Sequence, residues 1–518
     1  MDHARIPNGA RPVGISSRSD PHAASPADAL GQLLALGPNP APDEVSGIVS
    51  RRALSWQSHP KWATAVLSGL AKNHRPRVAH QVLTSMLDCS VQGSVIHYNA
   101  VINSYSRCGQ WQSALSLLSG MHAGSTSPDE ISYNAAMSAC EKGGQWQLSL
   151  SLLRSMQKMK ATPDEISYSA SISACEKGGQ WQLALSLSRC MPQMRATPNQ
   201  ISFSAAISAC EKGRQWQFAF VLFGSMLGTK TPPDAITCSA AISACEKGRQ
   251  WRLALGLLGS MPEMRAIAND VSYNAAISAC TAGDQWQRAL FLLGSMPQKS
   301  TAANVVSFSA AIGACERGGQ WQLALALLRN MPEAKATPDE FTYTSALSAC
   351  EQGGQWQLAL SLLRRMPESR VAPNVISYNA AISACSPAGE WQVALVLLNK
   401  IHATKVSPDK ISFNAAIAVC KKGCQWQVAL SLLSSMTEMN VTPDEISYSA
   451  ASDALEEGGK WQLTLTQLNQ LQMRAVTGLT PAHLPKRNAI ASLNCTICPA
   501  APQSLPCDGG WQKLYLGC

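Results

Sequence analysis

Residues Glu130 to Asp164 read EISYNAAMSACEKGGQWQLSLSLLRSMQKMKATPD, a stretch of 35 residues that recurs along the chain. Its marker is a tryptophan, found at Trp111, Trp146, Trp181, Trp216, Trp251, Trp286, Trp321, Trp356, Trp391, Trp426 and Trp461. Every step between them is 35 residues, without insertion or deletion. A period in this range signals one supersecondary unit stacked many times.

Numbering the unit from Glu130 as position 1 exposes its local structure. Tyr133, Ala136, Met137 and Cys140 fall at positions 4, 7, 8 and 11, one face of a helix. Ser132 at position 3 is the expected N-cap. Gly143 and Gly144 break this helix. A second apolar set, Trp146, Leu150, Leu153 and Met156, again has helical spacing. Lys158 and Lys160 complement the C-terminal end of that helix. Thr162-Pro163-Asp164 closes the unit as a turn. Helices of about three turns are marginal alone in water, so their apolar faces must be buried against neighbouring units. The expected fold is all-α, an α-α superhelical solenoid of 35-residue helix-turn-helix repeats.

Ten clean repeats run from Val95 to Asp444, and an eleventh, 445–479, keeps Trp461 but loses the Pro-Asp ending, as a terminal cap does. Residues 60–94 form a degenerate repeat with Pro76 at the tryptophan position. Residues 1–59 form an N-terminal extension, expected to be largely disordered. Arg5, Arg11 and Arg18 stand against only Asp2 in its first nineteen residues, the basic, acid-poor character of an organellar transit segment, although Asp20 follows. Residues 480–518 are an irregular tail. Its Cys495, Cys498, Cys507 and Cys518 include one CxxC, but the second pair is not CxxC and no histidine lies between, so no zinc site is assigned.

The chain has 518 residues and 18 cysteines, of which nine occupy position 11: Cys140, Cys175, Cys210, Cys245, Cys280, Cys315, Cys350, Cys385 and Cys420. Equivalent atoms of stacked helices lie roughly 8–10 Å apart, beyond the reach of about 7 Å between disulfide-bonded Cα atoms. These are small buried hydrophobes of a reducing compartment. A net charge of +9 suits a polyanionic partner without requiring one. No apolar run reaches membrane-spanning length.

Tyr at position 4, Asn or Ser at 5, Gly at 15, Ala-Leu at 20–21, Met at 27 and Pro-Asp at 34–35 together resemble the pentatricopeptide repeat, over about 385 residues from Val95 to Leu479. The Trp-Leu-Gly-Tyr pattern of the related tetratricopeptide repeat is absent. The tryptophan at position 17 departs from the family pattern. We read it as packing between repeats, in preference to stacking on bases.

The resemblance implies a solenoid that binds single-stranded RNA, one nucleotide per repeat. It implies that position 2 sandwiches the base: Ile96, Ile131, Ile166, Ile201, Ile236, Val271, Val306, Phe341, Ile376 and Ile411. It implies that positions 5 and 35 read the base edge. Position 5 holds Asn99, Asn134, Ser169, Ser204, Ser239, Asn274, Ser309, Thr344, Asn379 and Asn414. Position 35 holds Asp129, Asp164, Asn199, Asp234, Asn269, Asn304, Asp339, Asn374, Asp409 and Asp444. Turn and capping propensities explain small polar residues at both places. They leave open why each varies within so narrow a set. The donor and acceptor patterns of Asn, Ser and Asp differ, so exchanging them changes which base edge is satisfied. The family's pairing rule spells U-U-A-G-A-Y-G-A-U-U, with Y either pyrimidine.

Position 13 is basic in seven repeats, at Arg107, Lys142, Lys177, Lys212, Lys247, Arg317 and Lys422. One cation per repeat suits phosphate contact, although Glu141, Glu176, Glu211, Glu246 and Glu316 stand beside five of them. The adjacent acids Asp129-Glu130, Asp164-Glu165, Asp339-Glu340 and Asp444-Glu445 sit where carboxylates favour a helix start. No phosphate loop or nucleophile elbow is present. Catalytic residues, metals and cofactors are therefore expected to be none. The sequence points to a sequence-specific RNA binder of organellar RNA processing, stability or translation, chloroplast ahead of mitochondrion, that works with a separate RNA-processing protein and with no membrane or small-molecule substrate. The alternative is a protein-binding helical scaffold.

Overall fold

The computed structural model describes residues 26–37, 39–123, 126–159, 161–297, 301–403 and 407–457. Among them the secondary structure is helical without strands. Each regular repeat is a helical hairpin, as in Glu130–Lys142 followed by Trp146–Lys158.

The helix boundaries follow from local chemistry. Asp129, in extended conformation, accepts a hydrogen bond from the Ser132 amide at 2.9 Å, and the Ser132 hydroxyl accepts from the Asp129 amide at 3.2 Å. This is a reciprocal capping box. It corrects the sequence expectation: position 35 of the preceding repeat is the N-cap, and Ser132 is its partner within the first turn. At the other end Gly144 takes a left-handed φ of +68°, and the Gln145 amide returns to the Cys140 carbonyl at 2.8 Å. At Met191-Pro192 and Met331-Pro332 the second helix stops at Cys190 and Asn330, whereas Trp356–Glu368 continues through Pro367.

Contacts divide the chain into two compact units. One ends at Ala244 and includes 263–266; the other comprises 245–262 and the chain from Ile267 onward. In the first unit the helices Val95–Arg107, Glu130–Lys142, Glu165–Lys177 and Gln200–Lys212 pack side by side, and each second helix lies against its own first helix and the next one. In the second unit the first helices from Asp270–Ala282 to Glu445–Glu457 are arranged in the same way.

Ala136, Met137, Cys140, Leu153 and Met156 are buried, as are their counterparts along both units. The position-11 thiols are free, and burial pushes them up to about 11, or to about 12 at Cys385 and Cys420. They are protonated and unreactive at neutral pH. The tryptophans are packing residues. Trp111 covers Gly143 of the next repeat, and Trp146, Trp181, Trp251, Trp286 and Trp321 cover Gly178, Gly213, Gly283, Gly318 and Gly353. A β-carbon on any of these glycines would overlap the indole. Ala388 stands at the glycine position opposite Trp356, and there the first helix, Val375–Ala384, ends a turn early, ahead of Pro387.

The extension over 1–59 is corrected from Pro26 onward. Helices α1 (Pro26–Ala35), α2 (Pro42–Ser50) and α3 (Ala53–Ser58) precede α4 (Pro60–Lys72) and α5 (Pro76–Asp88) of the degenerate repeat. Leu33, Val45, Val49 and Trp56 are buried, and α1 packs on α4 as α2 packs on α5. These four apolar side chains need that cover, so the segment cannot stay solvated. Helices α1 and α2 fall within one further step of the same 35-residue frame. The transit-like residues 1–25, the second half of the last repeat with Trp461, and the cysteine-containing tail lie outside the described residues.

Candidate nucleic-acid interface

Position 2 of every regular repeat is exposed. Ile96, Ile131, Ile166, Ile201, Ile236, Val271, Val306, Phe341, Ile376 and Ile411 are 54–67% accessible. Ile446 of the last repeat, absent from the sequence-based set, is 65% accessible. A large apolar side chain is thus left out of the core at the same place in each repeat.

Beside it, positions 5 and 35 meet although 30 residues separate them. Asn99 Nδ2 donates to Asp129 Oδ1 at 3.0 Å, Asn134 to Asp164 at 3.1 Å, Asn379 to Asp409 at 3.1 Å and Asn414 to Asp444 at 3.3 Å. In the second unit Asn274 donates to Asn304 at 3.3 Å. A third member was missed from sequence: the serine at position 3 of the following repeat. Ser132 donates to Asn99 Oδ1 at 2.5 Å, and Ser167 to Asn134 at 2.6 Å. Its signal was available, because Asp or Asn precedes a Ser or Thr by three residues at each repeat junction.

Serine at position 5 behaves differently. Ser169, Ser239 and Ser309 donate back to the carbonyls of Glu165, Ala235 and Val305 at 2.6–2.7 Å, and Thr344 does so to Glu340 at 2.8 Å. Ser169 Oγ also lies 3.2 Å from Asn199 Oδ1, Ser309 Oγ 2.9 Å from the Thr342 hydroxyl and Thr344 Oγ1 3.4 Å from the Ser377 hydroxyl. Ser204 makes no such bond among the described residues. Asp234, Asn199, Asn269, Asp339 and Asn374 cap their helices through the amides of Thr237, Ser202, Ser272, Thr342 and Ser377.

Burial alone would raise the carboxyls of Asp129, Asp164, Asp234 and Asp409. The hydrogen bonds from the following Ser or Thr, joined by position 5 at Asp129, Asp164 and Asp409 and by Gln200 at Asp234, outweigh it and hold them below the ordinary range. At Asp444 the Ser447 amide has the largest effect in the same direction. These caps are ionised at neutral pH.

The phosphate reading of position 13 is corrected for Lys177 and Lys212. Lys177 Nζ pairs with Glu141 at 3.0 Å and Lys212 with Glu176 at 2.9 Å, linking position 13 to position 12 of the preceding repeat. Stacking in register brings these opposite charges together. Lys247 also has a partner. Arg107, Lys142 and Lys422 are exposed. The whole row stands eleven residues along the helix from position 2, about 16 Å at 1.5 Å per residue. Among the described residues no three metal-binding side chains converge, the paired acids included, and no helix is long and apolar enough to cross a membrane.

Sequence profiles of the pentatricopeptide repeat match this pattern repeatedly. The pentatricopeptide repeat domain matches residues 326–388, the PPR repeat family 93–142, and the PPR repeat 131–160, 236–265, 271–300, 306–335 and 376–403. The chain is a pentatricopeptide repeat protein. No curated protein matches it. Among solved structures it is similar to the pentatricopeptide repeat protein PPR10 from maize, at 16% identity over 90% of this chain and 84% of that one, TM-score 0.45. It is also similar to PPR10 in complex with an 18-nt psaJ RNA element, at 22% identity, 86% and 68% coverage and TM-score 0.39. Yeast Rmd9p in complex with a 16-nt target RNA is 10% identical, with 89% and 97% coverage and TM-score 0.28. In this pentatricopeptide repeat chain position 2 is exposed, whereas position 5 is buried at Asn99, Asn134, Ser169, Ser239, Ser309 and Asn379.

Proposed function

We propose that this protein binds single-stranded RNA in a base-specific manner, one nucleotide per repeat. The observation that carries the proposal is the exposed apolar side chain at position 2 of every regular repeat, beside positions 5 and 35, which are hydrogen-bonded to each other where position 5 is Asn. A flat apolar base face covers the aliphatic, and the base edge meets the remaining donors and acceptors. In the capped pair Asp Oδ1 takes the cap bond, and Oδ2, which at Asp164 also accepts from Asn134 Nδ2 at 3.2 Å, keeps a lone pair for a ring N–H. Asn uses its Oδ1 in the same way and offers Nδ2 as a donor to an unprotonated ring nitrogen. Asp therefore suits U and G, and Asn suits A and C.

The repeats from Val95 to Asp234 then read U-U-A-G, the repeat with Ser239 and Asn269 reads A, and those from Asp270 to Asp444 read Y-G-A-U-U. Occupancy itself is the activity: shielding a transcript, remodelling it or recruiting a processing partner, in an organelle as the family resemblance implies. A protein scaffold would use the aliphatic row equally well, but it has no need for a donor at some repeats and an acceptor at others. The test is binding of the full chain to fluorescent UUAGAUGAUU, a scrambled oligomer and the DNA counterpart across a salt series. Preference of tenfold or more for the RNA is expected. Equal binding of the scrambled oligomer would remove base reading, and no binding would turn the proposal toward the scaffold.

A further inference from the structure

In four repeats position 1, the first residue, touches residue 35 of the same repeat, and in most repeats its charge follows the identity of that residue. Asn304 Nδ2 donates to Asp270 Oδ2 at 3.1 Å, and Asn374 Nδ2 donates to the Glu340 carboxylate. Where residue 35 is Asp, the partner is of the opposite kind: Lys410 Nζ lies 3.7 Å from Asp444 Oδ2, and Gln200 donates to Asp234. The sequence extends the rule. Asn199, Asn304 and Asn374 share repeats with Glu165, Asp270 and Glu340, whereas Asp129, Asp339 and Asp409 share theirs with Val95, Val305 and Val375. The exceptions are Ala235 with Asn269 and Glu130 with Asp164; the threonine two residues before residue 35 donates to the position-1 carboxylate both at Glu130 (Thr162) and at Glu165 (Thr197).

The helix cap does not account for this pattern. Asn and Asp are equally good N-caps, so capping restricts residue 35 to these two without choosing between them. We infer that position 1 is a further specificity-determining residue: a carboxylate there holds residue 35 as a donor toward bases with an unprotonated ring nitrogen, and its absence permits an acceptor toward bases with a ring N–H. The chemistry is direct. With Oδ1 of Asn374 committed to the Ser377 amide at 2.7 Å, Nδ2 points outward, and Glu340 takes one of its two hydrogens. The other remains for the base. The amide cannot flip without setting its oxygen against the carboxylate. An Asp in its place would put two like charges side by side, which disfavours the ionised acceptor that G or U requires.

The inference rests on the RNA reading, and the experiment separates the two. Full-chain wild type, E340Q, N374D and E340Q/N374D are titrated with UUAGAUGAUU and UUAGAUGGUU, which differ at the base assigned to the eighth repeat. Wild type should prefer A. E340Q/N374D should prefer G by tenfold or more, and N374D alone should fall at least threefold short of that ratio. Equal A-to-G ratios for N374D and the double variant would overturn the role of position 1 while leaving base reading intact. A wild type indifferent to sequence would overturn base reading, and this specificity role with it. A second measurement needs no RNA: N374D should lower the melting temperature more at pH 7 than at pH 4, and E340Q should remove that difference. Its absence would overturn the charge coupling itself.

Discussion

At the start of the helix Glu130–Lys142, Ile131 stands 64% exposed while Asn99, Asp129 and Ser132 close a hydrogen-bonded cluster beside it. At its end, Trp111 lies over Gly143, and in the next repeat Lys177 is tied to Glu141. Both ends are equally regular in sequence. The far end spends its regularity on its neighbours: indole on glycine and lysine on glutamate, each partner supplied by the adjacent repeat. The near end satisfies its helix cap and still leaves one large apolar side chain per repeat exposed. Repetition alone therefore does not mark function; repetition that leaves groups unused does.

The contrast breaks most sharply if the near end is emptied. Replacing Ile131, Ile166 and Ile201 together by Asn removes exposed apolar surface that the fold does not use. RNA affinity should fall on the order of 100-fold, given about 1 kcal/mol lost per aliphatic contact, with the melting temperature unchanged. A fall in stability without a change in affinity would place these residues in packing.

The far end should respond in the opposite sense. Gly178→Val forces a branched side chain into Trp146, and overpacking of this kind costs about 1–3 kcal/mol. A lower urea midpoint is expected, while the A-to-G and U-to-C preferences of the remaining folded protein stay as they were.

Residue 35 belongs to both roles, and two substitutions at Asp164 divide them. Asp164→Ala loses the cap and should cost about 1 kcal/mol at neutral pH. Asp164→Asn keeps the cap, with stability nearly unchanged, and should relax the second base from U to either pyrimidine. Because hydrogen bonding holds the Asp164 carboxyl below its ordinary range, its advantage over Ala is present above the ordinary carboxylate pKa and shrinks as pH falls through the lowered value. Melting curves from pH 3 to pH 7 measure this directly.

The hairpin and its period were legible because each repeat carries its own helix signals within 35 residues. The α1–α2 hairpin was not, because it lacks the tryptophan and glycine markers and shows only the spacing of Leu33, Val45 and Val49, which gains meaning once α4 and α5 cover it. The cap at position 35 was misassigned to Ser132 by one turn, since a capping box has two polar members and the sequence alone does not say which one lies outside the helix. The pairing of Asn99 with Asp129, and the claim of position 1 on residue 35, depend on how the turn folds back over 30 residues. No local pattern contains that distance.

The smallest effect distinguishes the ends most economically. If Lys177 and Lys212 belong to the inter-repeat ladder, Lys177→Met with Lys212→Met removes two largely solvated ion pairs, each contributing about 0.2–1 kcal/mol. Stability should drop by no more than that. The slope of log affinity against log salt should stay fixed, because neither ammonium neutralises a phosphate. If both instead contacted phosphates, the slope would fall by about 0.7 for each lysine removed, the single-strand value, so the pair would lower it by more than a full unit. A titration between low and moderate salt resolves that difference even when the affinity change at any one salt concentration is small. An unchanged slope would leave phosphate contact to groups near position 2 and confine the far end to holding the repeats in register.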